Sequence, residues 1–160
     1  MQKYVIVYFV NRGTIPTDFL ASEWPLHITL LANFTITSSL KNLIARLEQY
    51  ANKLKPIIVD VEGEEMFGLN KDTAVLLIKP NKGLKEIHNE LVKITKSLGA
   101  IFDEPKFIEL GFRPHATIQV SSRLNKGQTV TIKDFTLVDM FPDKEINKRR
   151  VIKDFKLSRK

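Results

Sequence analysis

The sequence predicts an α+β protein, and three observations predict it. Strand-like runs rich in β-branched and aromatic residues outnumber helical ones. Two amphipathic stripes show helical spacing. A short motif, His-x-Thr, occurs twice in runs that alternate like strands, at His27 and His115, 88 positions apart. With one helical stripe near each motif in the chain, this spacing predicts one domain over residues 1–160 with two pseudo-symmetric lobes.

The elements follow in order. Residues 3–10 (Lys-Tyr-Val-Ile-Val-Tyr-Phe-Val) predict a strand buried on both faces. Residues 11–25 contain Gly13, Pro16 and Pro25 and predict mostly loop, with room for a short helix. Residues 26–34 predict the first motif strand. Leu40, Leu43, Ile44, Leu47, Ala51 and Leu54 then recur at helical spacing, with Ser38 or Ser39 to cap the helix and Pro56 to stop it. Residues 57–67 and 73–79 predict two strands around the turn Gly68-Leu69-Asn70-Lys71-Asp72. A second helix starts near Asn81 or Lys82, with the stripe Leu84, Ile87, Leu91, Ile94, Leu98 and a left-handed cap at Gly99. Residues 111–120 predict the second motif strand, and 129–139 and 150–157 complete the chain. The expected order is β, β, α, β, β, α, β, β, β.

Composition narrows the class. The chain has 160 residues, 43% hydrophobic and 27% charged, as a soluble globular protein has. No apolar run approaches the roughly 20 residues that cross a bilayer. The first residues lack the small-residue cleavage site of a signal peptide. With no cysteine, disulfides and thiolate metal sites are excluded. A cytoplasmic protein is the expectation. Net charge is +7, and residues 141–160 carry eight basic and three acidic side chains. That segment reads either as a surface for a polyanion such as RNA or as a solvated terminal strand.

The chemistry lies in the two motifs. On a strand His27 and Thr29 share one face, and Leu26, Ile28 and Leu30 the other. Around the second motif Arg113, His115, Thr117, Gln119 and Ser121 form a polar face opposite Phe112, Pro114, Ala116, Ile118 and Val120. Two strands that each offer an imidazole beside a hydroxyl can hold one phosphate between them. One His-x-Thr alone reads as a structural histidine beside a good β-former. The pair, in this element order, reads as catalytic.

Other residues carry weaker signals. His88, four positions after Leu84 on the second helix, predicts a packing or surface role. A zinc site from three histidines has no short-spaced ligand pair to support it. Glu62-Gly63-Glu64-Glu65 reads as solvated. Among Tyr8, Phe9, Trp24 and Phe34, a ring that stacks on a nucleobase is one possibility. Phe34 has the parity of the core, and Trp24 fits a rim position.

These motifs identify a resemblance. His27-Ile28-Thr29-Leu30 and His115-Ala116-Thr117-Ile118, with the approach Gly111-Phe112-Arg113-Pro114, resemble the paired motifs of the 2H phosphoesterase superfamily. The match is best to its RNA 2′,3′-cyclic phosphodiesterase branch, also called 2′-5′ RNA ligase, and spans nearly the whole chain. Gln119-Val120 departs from the small residue and arginine expected there. Leu31-Ala32-Asn33-Phe34 lacks the common glycine.

The resemblance implies antiparallel sheets backed by helices around a central cleft. It implies a metal-independent phosphodiesterase that opens 2′,3′-cyclic phosphates to 2′-phosphates, with a latent 2′-5′ RNA ligase activity. His27 and His115 share the acid and base roles, in an order left open. Thr29 and Thr117 donate to phosphate oxygens. Arg113 is open between phosphate binding and a surface ion pair. The expected partners are RNA ends or cyclic nucleotides, with no membrane, metal or other cofactor, for a protein acting as a monomer. Two rivals are a phosphodiesterase for a small cyclic phosphate, such as one derived from ADP-ribose, and a non-catalytic RNA-binding module.

Overall fold

A computed structural model describes residues 2–160. The chain forms an α+β fold of two antiparallel sheets and two α-helices. In chain order these are β1 (Tyr4–Phe9), β2 (Asp18–Leu20), β3 (His27–Thr35), α1 (Leu40–Ala51), β4 (Ile57–Phe67), β5 (Thr73–Ile78), α2 (Lys82–Ser97), β6 (Ile101–Phe102), β7 (His115–Thr117), β8 (Thr129–Ile132), β9 (Asp134–Asp139) and β10 (Lys148–Lys156). The larger sheet has the order β2-β10-β9-β1-β3-β6 and the smaller β7-β5-β4-β8. The motif strands β3 and β7 belong to different sheets and lie against each other. Among the described residues no helix is long and apolar enough to cross a membrane.

β1 is buried along its whole length because its two faces serve two cores. Tyr4, Ile6 and Tyr8 join the main core with Leu43, Leu47, Leu84, Leu91, Leu76 and Ile132, so this core draws on both sheets and both helices. Val5, Val7 and Phe9 face a smaller core closed by Ile15 and Phe19. Each large apolar side chain removed from water contributes about 1.5–3 kcal/mol. The helices start and stop where their end residues dictate. The Ser39 side chain accepts the Asn42 N–H and that of Asn81 accepts the Leu84 N–H, satisfying donors that the first turn leaves free. Gly99 has φ of 81°, the left-handed cap that ends α2.

Four expectations need correction. The segment 11–25 is not only loop and 3-10 turns, since Asp18–Leu20 pairs with β10 at the edge of the sheet. The second motif strand is three residues long, not ten. Gln119 donates its N–H to the Ser122 carbonyl in a turn, and Val120, expected on an apolar face, is fully exposed. The run 129–139 is two strands in two sheets, and the chain passes between the sheets at Lys133. The short strand Ile101–Phe102 pairs with the end of β3 and had no counterpart in the expected order.

The approach to the second motif is tightly folded. Phe107 and Gly111 each end a 3-10 turn, and a Cβ on Gly111 would overlap the Lys106 backbone carbonyl oxygen. Gly111→Ala is therefore expected to cost about 1–3 kcal/mol, as overpacking does. Chemical denaturation checks this, and an unchanged midpoint would show that the turn opens freely.

Candidate active site

β1 pairs Phe9 with His27 and Val7 with Thr29, which places the imidazole and the hydroxyl on the face covered by residues 11–25. On β7, His115 and Thr117 flank Ala116, which is buried in the main core, so both point to the opposite side. A cleft of about 520 Å³ opens where the two faces meet. The first sheet contributes Val5, His27, Thr29, Ala32, Asn33 and Met140, and the turn before β3 contributes Ala21, Ser22 and Trp24. Asp103 and Glu104 line it from beyond β6, and Thr117 and Gln119 from the second motif. Four of the expected residues thus converge. His27, Thr29 and Thr117 line the cleft, and His115 is near enough for its charge to act on His27.

The two histidines are held in the same way. The His27 Nδ1 lies 2.8 Å from the Pro25 carbonyl oxygen and the His115 Nδ1 lies 2.7 Å from that of Arg113. A carbonyl only accepts, so both rings carry the proton on Nδ1. Among the described residues neither Nε2 makes a hydrogen bond within the protein, and both are free for substrate. Each ring also meets an aromatic neighbour. Trp24 is tilted 40° to His27 with centroids 4.7 Å apart, and Phe67 meets His115 edge-on at 4.6 Å. Burial pushes both imidazoles below their ordinary pKa, against the pull of the bonded carbonyls. The charge of each histidine's neighbourhood adds to this, from His115 on His27 and from Arg113 on His115.

Arg113 lies on the His115 side of the site, and its guanidinium donates to Glu65 at 2.6 Å and sits 5.0 Å from the Phe67 ring centre. The ion pair is exposed and worth about 1 kcal/mol or less, and Arg113 lines a separate hollow with Glu62, Lys82 and Glu109 and not the cleft itself. Glu64 of the same acidic run pairs with Arg123. Four of the eight basic side chains of the terminal segment have partners within the protein. Arg150 pairs with Asp18 and Asp143, Lys148 with Glu145, Lys153 with Glu48, and Arg149 donates to the carbonyls of Met140, Ile146 and Lys148. No lysine or arginine is among the described residues that line the cleft.

Sequence reasoning missed the roles of Asp103 and Glu104, which nothing in their local pattern marks. It left His88 between a packing and a surface role, and the residue is buried, 1% exposed. Phe34 is fully buried, as its parity predicted. No group of three or more His, Cys, Asp or Glu suited to a metal occurs among the described residues.

Comparison with known proteins bears on the fold and the family. A sequence-family profile described as the 2′-5′ RNA ligase superfamily matches residues 13–133. No curated protein sequence matches the chain significantly. Among solved structures, that of TT0787 of Thermus thermophilus is 17% identical, covers 100% of both chains and has a TM-score of 0.67. That of E. coli LigT complexed with 3′-AMP is 15% identical, covers 99% of each chain and has a TM-score of 0.60. E. coli LigT complexed with phosphate is also similar, at 15% identity, 99% and 98% coverage and a TM-score of 0.57. These structural likenesses show a shared fold.

Proposed function

The chain belongs to the 2′-5′ RNA ligase superfamily, and from that premise we propose that it opens a 2′,3′-cyclic phosphate at an RNA or nucleotide end to a 2′-phosphate, without a metal. The observation that supports this reading best is the matched pair of imidazoles, each with Nδ1–H on a carbonyl and Nε2 free, flanked by Thr29 and Thr117. Water attacks phosphorus and gives its proton to the neutral Nε2 of one histidine. The P–O3′ bond breaks, and the leaving oxygen takes a proton from the other histidine, which must be charged. The threonine hydroxyls donate to the non-bridging oxygens, where negative charge grows. With the 5′-hydroxyl of a second RNA end in place of water as the nucleophile, the same groups would break the P–O3′ bond, return a proton to O3′ and join the two ends through a 2′-5′ linkage. The capture of 3′-AMP and of phosphate by LigT, of the same fold, supports a site for a nucleotide phosphate.

The cleft also favours a narrower form of this reading. About 520 Å³ suits one nucleotide, and a lining with Asp103 and Glu104 but no lysine or arginine does not grip a phosphate chain along its length. A terminal nucleotide or a small cyclic phosphate is then the bound unit. The test is hydrolysis of a short RNA ending in a 2′,3′-cyclic phosphate, beside the corresponding cyclic mononucleotide, in excess EDTA. Release of a 2′-phosphate in EDTA is the expected result. A mononucleotide rate within about tenfold of the RNA rate, insensitive to salt, would support the narrow form, since a polymer contacting several phosphates weakens steeply with salt. No turnover of either substrate, or turnover only after metal is added, would sink the proposal.

A further inference from the structure

His88 uses both ring nitrogens. Nδ1–H donates to the Leu30 carbonyl at 2.7 Å, and Nε2 accepts the Glu109 backbone N–H at 2.8 Å. The Phe112 ring stacks flat on the imidazole, with centroids 3.8 Å apart and planes 1° from parallel. The two groups bonded lie in the two motif segments. Leu30 follows Thr29 directly and is the extra residue of a bulge, because β1 pairs Val7 with Thr29 but Ile6 with Leu31. Glu109 opens the 3-10 turn that runs into Phe112, Arg113 and His115, and its φ of 57° holds it in the left-handed region. Outside the ring, Lys96 of α2 pairs with the Glu109 carboxylate at 2.8 Å and ties the same turn a second time.

A leucine would fill this volume on the apolar face of α2. It would leave a bulge carbonyl and a turn N–H without partners, and it would leave β3 and the 109–112 turn unconnected. We propose that His88 is a positioning residue of the active site. As the neutral Nδ1–H tautomer it clamps the strand that carries His27 and Thr29 to the turn that delivers His115, and so sets how the two motifs face each other. The proposal rests on the reading of the site given above. His88 has no step of its own in the reaction, and no proton leaves or enters its ring.

Two conservative variants separate its two bonds. In His88→Asn the side-chain amide nitrogen falls near Nδ1 and keeps the strand bond, while the turn bond is lost. In His88→Gln the amide oxygen falls near Nε2 and keeps the turn bond. Assays run where both variants are folded by circular dichroism should show kcat of each lowered by about 10–100-fold, since each opens one end of the clamp and small misplacements act on that scale. KM should stay near that of the unaltered protein in both variants. A kcat kept by either variant would overturn the clamp. Phe112→Leu, which removes the stacked ring and unpairs no buried polar group, should lower kcat in the same direction. The His115 ring resonance in proton NMR should move in both variants. That readout needs no substrate. Inactivity of the unaltered protein on the cyclic phosphate would defeat the proposed function, whereas a His115 resonance unmoved by His88→Asn would defeat the clamp.

Discussion

His27→Ala and His115→Ala are each expected to lower kcat by about 10²–10⁴-fold, the contribution of a positioned proton donor or acceptor. Neither ring is a pillar of the fold. Each is only partly buried and makes one hydrogen bond, to a carbonyl two residues back in its own segment. Both variants should fold, as circular dichroism and thermal melting would show. The loss should fall on kcat, because the imidazoles act on protons that move only in the transition state. The double variant should be little worse than either single one, since groups that act as a unit are not additive. Steady-state kinetics on the cyclic phosphate decide this. If one variant kept its rate to within about threefold, the two-histidine scheme would fail, because a charged acid without a matching base cannot supply an effect of that size.

Much of this site was legible in the sequence, because the signal is short-range. A His-x-Thr on a strand fixes which face both side chains take, whatever the strand pairs with. Ser39 and Asn81 mark helix starts for an equally local reason, the hydrogen bond to an N–H three residues on. Phe34 keeps its predicted parity only because two one-residue slips in the β1–β3 register, between Thr29 and Leu31 and again before Phe34, add up to an even shift. What the sequence hid depends on distant partners. Asp18–Leu20 is a strand because β10 passes beside it and Arg150 reaches Asp18. The second motif strand stops at Thr117 because the chain turns at Ser122, although the apolar alternation continues to Val120. The break at Lys133 had a trace, since polar and apolar residues alternate strictly over Thr129–Ile132 and the alternation lapses at Leu137-Val138. His88 sits on a helix face that reads as packing, and its two bonds reach residues 58 positions back and 21 ahead.

Acidification should cut stability, and should cut activity once the pH falls below the optimum, through the same histidines. In the free protein burial holds His27 and His115 below the ordinary value of 6.5, and the charge of His115 holds His27 lower still. The two titrate as a pair, and the working form carries one proton on the pair. The pH profile of kcat/KM reports the free protein and should be a bell whose maximum lies below about 6.5. Its acid limb should fall tenfold per unit, a hundredfold over two units. A bound phosphate anion favours imidazolium, so the kcat bell should lie at higher pH than the kcat/KM bell. The stability sign follows from the same direction. His27, His88 and His115 all have folded pKa values below those of the unfolded chain, with burial the first cause. Between the folded and unfolded values the unfolded chain binds more protons, so stability rises with pH there. It is fully present above about 6.5 and is lost as pH falls through the folded values. For His88 the loss is tied to geometry, since a proton on Nε2 removes the acceptor for the Glu109 N–H. Denaturant midpoints from pH 7.5 to 5 should fall steadily, and the rate profile, taken at a temperature where the protein stays folded at every pH, should keep its bell. A kcat/KM maximum above pH 8, or a midpoint that rises on acidification, would show that burial does not govern these imidazoles.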